Sequence, residues 1–113
     1  DTDSGSGSIM QQVEQIHKYM ERSYYENITL TALAEEYHMD ASYLSRSFSQ
    51  KYGETIIAFL TRIRMEKARE LLESGKFSVT MVAEMVGMRN LKNFRGRYKE
   101  YFGKTPKEFM KKV

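Results

Sequence analysis

At 113 residues the chain is long enough for one domain, or for two very small subdomains sharing a core. Hydrophobic residues at 41% and charged residues at 29% allow a modest core under a polar surface, and no apolar run approaches the roughly 18–20 residues of a membrane span. With no cysteine, one proline and a formal charge of +3, a disulfide-stapled extracellular module is excluded, a turn-rich all-β domain is disfavoured, and a cytoplasmic setting is expected.

The first eight residues, DTDSGSGS, read as a flexible linker or a cloning scar, leaving residues 9–113 as the folded domain. From there apolar residues recur at helical spacing. Ile9, Val13, Ile16, Tyr19 and Met20 predict a helix over about 9–24. Thr31 is placed to cap a short helix over 31–38 carrying Leu33, Ala34 and Tyr37. Asp40 caps the next, 41–51, whose inward residues are Tyr43, Leu44, Phe48 and Tyr52, with Gly53 closing it. A long helix over 56–74 turns Ile56, Ile57, Phe59, Leu60, Ile63, Met65, Ala68, Leu71 and Leu72 inward, and Gly75 ends it. Ser78 caps 79–86, built on Val79, Val82, Ala83 and Val86; Asn90 caps 91–101, built on Leu91, Phe94 and Tyr98. Gly103 ends that helix, and Thr105-Pro106 starts a last short one, with proline in the favoured first turn. Seven helices and no strand make the class all-α.

An internal repeat sets the architecture. Leu33-Ala34 through Met39 matches Val82-Ala83 through Met88 at an offset of 49, and after one extra residue Leu44, Phe48, Gly53 and Thr55 match Phe94, Tyr98, Gly103 and Thr105 at 50. Each copy is a short helix, a tight turn and a second helix. In a helix-turn-helix the two helices cross closely over a small residue, for which Ala34 and Ala83 suffice, while Met39 and Met88 plug the hairpin.

The second helix of each copy is the candidate reader. In the first, Ser42, Ser45, Arg46, Ser49 and Gln50 fall outside the apolar stripe. Small serines allow deep seating in a major groove, and Arg46 has the reach for guanine N7/O6, a phosphate or water. In the second, Leu91, Lys92 and Arg95 occupy the N-terminal stripe, Leu91 suiting a thymine methyl or the core. Gln50, Arg89, Arg97, Lys99 and Lys104 suit the phosphate backbone, as do the amides at Thr105. From Arg89 onward nine Lys/Arg stand against two Glu, a net of +7, which points to a polyanionic partner. The helix over 56–74, nineteen residues or about 28 Å, has the length to separate two readers by roughly one DNA turn.

Leu30-Thr-x-Leu-Ala34, Met39-Asp-Ala-Ser-Tyr-Leu-Ser-Arg-Ser-Phe48, Ile63-Arg-Met-Glu-Lys-Ala68-Arg-Glu-Leu-Leu72 and Lys99-x-x-x-Gly103-Lys-Thr-Pro106-x-x-Phe109 fall in order along the chain. With these stretches the chain from Ile9 to Val113 resembles the DNA-binding domain of the arabinose-operon regulator (AraC/XylS) family of bacterial transcription factors. The resemblance implies two helix-turn-helix subdomains, about 9–55 and 75–113, joined by a linker helix over 56–74. It implies promoter double-stranded DNA and RNA polymerase as partners, transcription activation, no cofactor, and an N-terminal sensing or receiver domain outside this chain. By motif match it assigns base contacts to Ser42, Ser45, Arg46, Leu91, Lys92 and Arg95. One departure stands out: where the family often carries Ser-Arg in the second reading helix, this chain has Arg95-Gly96.

An enzyme is disfavoured. His17 and His38 are the only histidines, and no metal-binding, nucleophile-elbow or phosphate-loop motif occurs. Two further readings compete with a sequence-specific regulator: a helical protein-interaction module with a basic surface, and a non-specific DNA binder. RNA is less suited, because the aromatics follow buried helical phases instead of forming a stacking platform.

Overall fold

The computed structural model describes residues 5–110, and among these it contains seven helices and no strand. They are α1 (Gly5–Ser23), α2 (Leu30–Glu36), α3 (Ala41–Tyr52), α4 (Ile56–Glu73), α5 (Val79–Met85), α6 (Leu91–Phe102) and α7 (Pro106–Phe109). No helix is long and apolar enough to cross a membrane among the described residues. The chain divides into two compact units, residues 1–61 and 62–113, and α4 begins in the first and ends in the second.

α1 starts at Gly5, four residues before the apolar periodicity. Once a turn has formed, further residues add without a new nucleation cost, so glycine and serine can be carried along. The first four residues of the expected linker lie outside the described residues.

In the first unit α1 buries Val13, Ile16 and Met20, α2 buries Leu33 and Ala34, and α3 buries Leu44 and Phe48. Fully burying a leucine or phenylalanine contributes about 1.5–3 kcal/mol, so this small group of side chains dominates the unit's stability. α3 packs on both α1 and α2. The His17 ring stacks on Tyr52 at 4.1 Å and on Phe59 at 4.3 Å, joining α1, the end of α3 and the start of α4. Thr29, not Thr31, caps α2: its hydroxyl accepts from the Ala32 N–H at 3.1 Å. Because the helix starts at Leu30, Thr31 already lies inside it, where a side chain cannot cap. Thr55 acts in the same way ahead of α4, accepting from the Ala58 N–H at 3.0 Å.

In the second unit Met65, Ala68 and Leu72 of α4 are buried, as are Val82 and Ala83 of α5, Val86 after it, and Phe94 and Tyr98 of α6. α7 packs on α6, setting Phe109 edge-on to Tyr98 at 5.2 Å, and the Arg69 guanidinium lies 5.8 Å from the Phe102 and Phe109 rings. Two expected inward residues are exposed, and others, Tyr52, Ile63, Leu71, Val79 and Leu91 among them, are half-buried. Ile57 is 52% exposed, and Tyr43 is 45% exposed.

The repeat holds at the level of individual backbone bonds. After α2 the Tyr37 N–H donates to the Leu33 carbonyl at 3.0 Å and Met39 to Ala34 at 2.8 Å; after α5 Val86 donates to Val82 at 3.0 Å and Met88 to Ala83 at 2.8 Å. The residue between each pair is left-handed, His38 at φ 55° and Gly87 at φ 85°. Both second helices then stop at a left-handed glycine, Gly53 and Gly103, a conformation that a Cβ disfavours.

Candidate nucleic-acid interface

Capping fixes where each candidate reading helix begins. The Asp40 carboxylate accepts from the Tyr43 N–H at 3.1 Å, and the Asn90 side-chain oxygen accepts from the Asn93 N–H at 2.9 Å.

On α3, Leu44, Ser47 and Phe48 face inward. Ser42, Arg46 and Gln50, four residues apart, form an exposed stripe, as their spacing predicts, while Ser45 and Ser49 are half-buried at its flank. Tyr43 sits on the solvent side beside Arg46, and Ser47 takes the inward place expected for it. Residue size misled here: the buried arc is three residues wide, and where helices pack closely a serine fits better than a tyrosine. The helical spacing 44, 47, 48 alone marks the buried arc. No acidic residue lies on α3.

On α6, Phe94 and Tyr98 are fully buried, Leu91 is half-buried, and Lys92, Asn93, Arg95, Gly96, Arg97, Lys99 and Glu100 are exposed. Leu91 thus serves the core at least in part. Arg89 and Lys104, just outside α6, are also exposed. Four cations and one carboxylate make α6 the more strongly basic of the two helices. The register of the repeat pairs Ser42 with Lys92, Arg46 with Gly96 and Gln50 with Glu100, so the two stripes differ in chemistry at every position.

A Cβ added at Gly96 would meet nothing within 4 Å. Around it lies an open hollow of about 630 Å³ lined by Asn90, Lys92, Asn93, Gly96, Arg97 and Glu100. In a helix interior glycine destabilises by about 1 kcal/mol relative to alanine, and no contact within the fold calls for it.

Thr105 is already engaged. Its N–H and its hydroxyl both donate to Glu108 Oε2, at 2.8 and 2.9 Å, so a carboxylate occupies the donors that the sequence offered to a phosphate. Those two bonds hold the Glu108 carboxyl below its usual pKa, the N–H first, with the hydroxyl, Lys104 and Lys99 adding to the effect. Among the described residues no group of three His, Cys, Asp or Glu side chains is placed to hold a metal ion.

The sequence matches the family described as a helix-turn-helix domain over residues 33–112. The chain belongs to the AraC/XylS family of helix-turn-helix DNA-binding domains. It is 27% identical over 103 residues to the transcriptional activator RhaS of Pectobacterium atrosepticum, covering 91% of this chain and 37% of that protein. Its fold is similar to the C-terminal domain of AraT, a response regulator from Geobacillus stearothermophilus, with a TM-score of 0.84 and 32% identity over 89% of this chain and 88% of that one. It is also similar in fold to the DNA-binding domain of the global transcriptional factor AdpA, solved with a target DNA, with a TM-score of 0.81 and 23% identity over 87% of this chain and 88% of that one. The chain spans 33–40% of the length of the first curated relatives that it matches. It is a DNA-binding helix-turn-helix domain of that family.

Proposed function

We propose that this AraC/XylS-type domain reads promoter DNA by placing α3 and α6 in successive major grooves, and that it activates transcription from the cytoplasmic side. The carrying observation is the pair of capped helices in one register, each with a buried apolar face and an exposed polar stripe. Ser42, Ser45 and Arg46 contact bases from α3, with Tyr43 beside them. Lys92 and Arg95 contact bases from α6, with Leu91 at its buried edge. Gln50, Arg89, Arg97, Lys99 and Lys104 contact phosphates; Thr105, engaged by Glu108, contributes through the fold. α4, eighteen residues or about 27 Å long, acts as the spacer.

Activation is supported by RhaS, which is named an activator, and attachment to a sensing or receiver domain by AraT, which is named a response regulator; contact with RNA polymerase is part of the proposal that the domain activates. Selection of bound fragments from a random duplex library tests the reading. Two unlike half-sites centred about one helical turn apart are expected, with affinity falling steeply as salt rises. Recovery of random sequence would leave only a non-specific binder. Indifference to duplex DNA would return the domain to a protein-interaction module.

A further inference from the structure

Gly96 occupies the centre of the exposed stripe of α6, where the repeat gives α3 its Arg46, and nothing in the fold uses its lack of a side chain. Its surroundings carry the signature of a polyanion site. Lys92 and Arg97 line the same hollow, and Arg95 and Lys99 are exposed on either side of the glycine along the helix. Next to Lys92 stands Asn93, exposed and short, where α3 carries the long Tyr43. An asparagine can pair in bidentate fashion with adenine N6/N7, but only if the helix axis comes close to the base edges. One turn beyond Gly96, Glu100 replaces Gln50 with a charge that repels phosphate, confining close contact to the N-terminal half of α6.

We infer that Gly96 is a close-approach site, at which duplex DNA packs against the bare α6 backbone and comes within reach of Asn93 and Lys92. This rests on the proposed reading of DNA by α6. It makes the second unit a reader of different chemistry from the first, not a weakened copy.

The test uses the whole chain and the duplex that it selects from a random library. Gly96→Ala should raise the unfolding midpoint by a few degrees, because alanine is the better helix former and the space is open. The same variant should bind the selected duplex at least about fivefold more weakly, the scale of one mismatched base pair. Gly96→Arg should also weaken binding although it adds a positive charge, and Asn93→Ala should relax the choice of adenine in one half-site. Equal or tighter binding by Gly96→Ala, with Arg46→Ala still losing affinity, overturns the close approach and leaves the proposed function standing. No sequence preference in the unsubstituted chain, and no effect of Arg46→Ala, removes both.

Discussion

Tyr98 buries its ring completely, and its hydroxyl has no hydrogen-bond partner among the described residues. Burial pushes its pKa well above the ordinary phenol value, Glu73 adding to the effect and Arg69 opposing it. A desolvated, unmatched hydroxyl opposes folding, so Tyr98→Phe should leave stability unchanged or raise it by about 1 kcal/mol in a denaturant melt. A loss of that size would mean that the hydroxyl is satisfied in solution. Glu108 behaves in the opposite sense. Its folded pKa is depressed, so its contribution is present above the unfolded carboxylate value of about 4.3 and is lost as pH falls through the lower folded value. The stability gap between the protein and Glu108→Gln, measured from neutral to acid pH, should therefore close below that range; a gap constant down to strong acid contradicts the capping role. Neither residue stands out in sequence. Tyr98 reads only as core, and the capping pair of Thr105 and Glu108 is visible as a spacing without any sign that it competes with phosphate.

At the scale of the elements, the two hairpins share their turn bonds but differ in the residue that takes the left-handed backbone. Gly87 adopts it freely, whereas a Cβ in that region costs roughly 1–2 kcal/mol, less for residues that tolerate it. His38→Gly should stabilise the first unit, the gain limited to about 1 kcal/mol because glycine also loosens the unfolded chain. A lower unfolding midpoint for that variant would show that the histidine side chain has a stabilising role of its own. Ala83 is 1% exposed on α5, a helix that packs on α6. Ala83→Leu should lower stability by about 1–3 kcal/mol through overpacking, read as a lower melting midpoint, and an unchanged midpoint would refute close packing at this position. Most helix starts were legible because Asp40, Ser78 and Asn90 have strong capping chemistry just ahead of an apolar period. The start of α2 was not. Thr29 and Thr31 are chemically equivalent, and only the first hydrogen-bonded turn selects between them.

Across the whole molecule, each of the two units carries one of the two proposed reading helices, α3 in the first and α6 in the second. If each reads its own base pairs, the binding losses of Arg46→Ala and Lys92→Ala should add in the double variant to within about 0.5 kcal/mol, measured at one salt concentration. A larger coupling would mean that the two faces do not act independently on the duplex. The family was accessible through the resemblance of its motifs, and the all-α class and the duplicated hairpin through order and spacing, because helical periodicity, caps and left-handed glycines are local properties of the chain. The exposed stripe of Ser42, Arg46 and Gln50 was accessible for the same reason. What happens at the margins was decided only in the folded structure: Ser47 inward over Tyr43, Ile57 left to solvent, and Thr105 tied to Glu108. The first two depend on which neighbour packs there and how much room it leaves, whereas the Thr105–Glu108 bonds are local, three residues apart, and only their geometry shows that the donors are taken. Open space around Gly96 belongs to the same class, since a missing side chain acquires meaning only from what surrounds it.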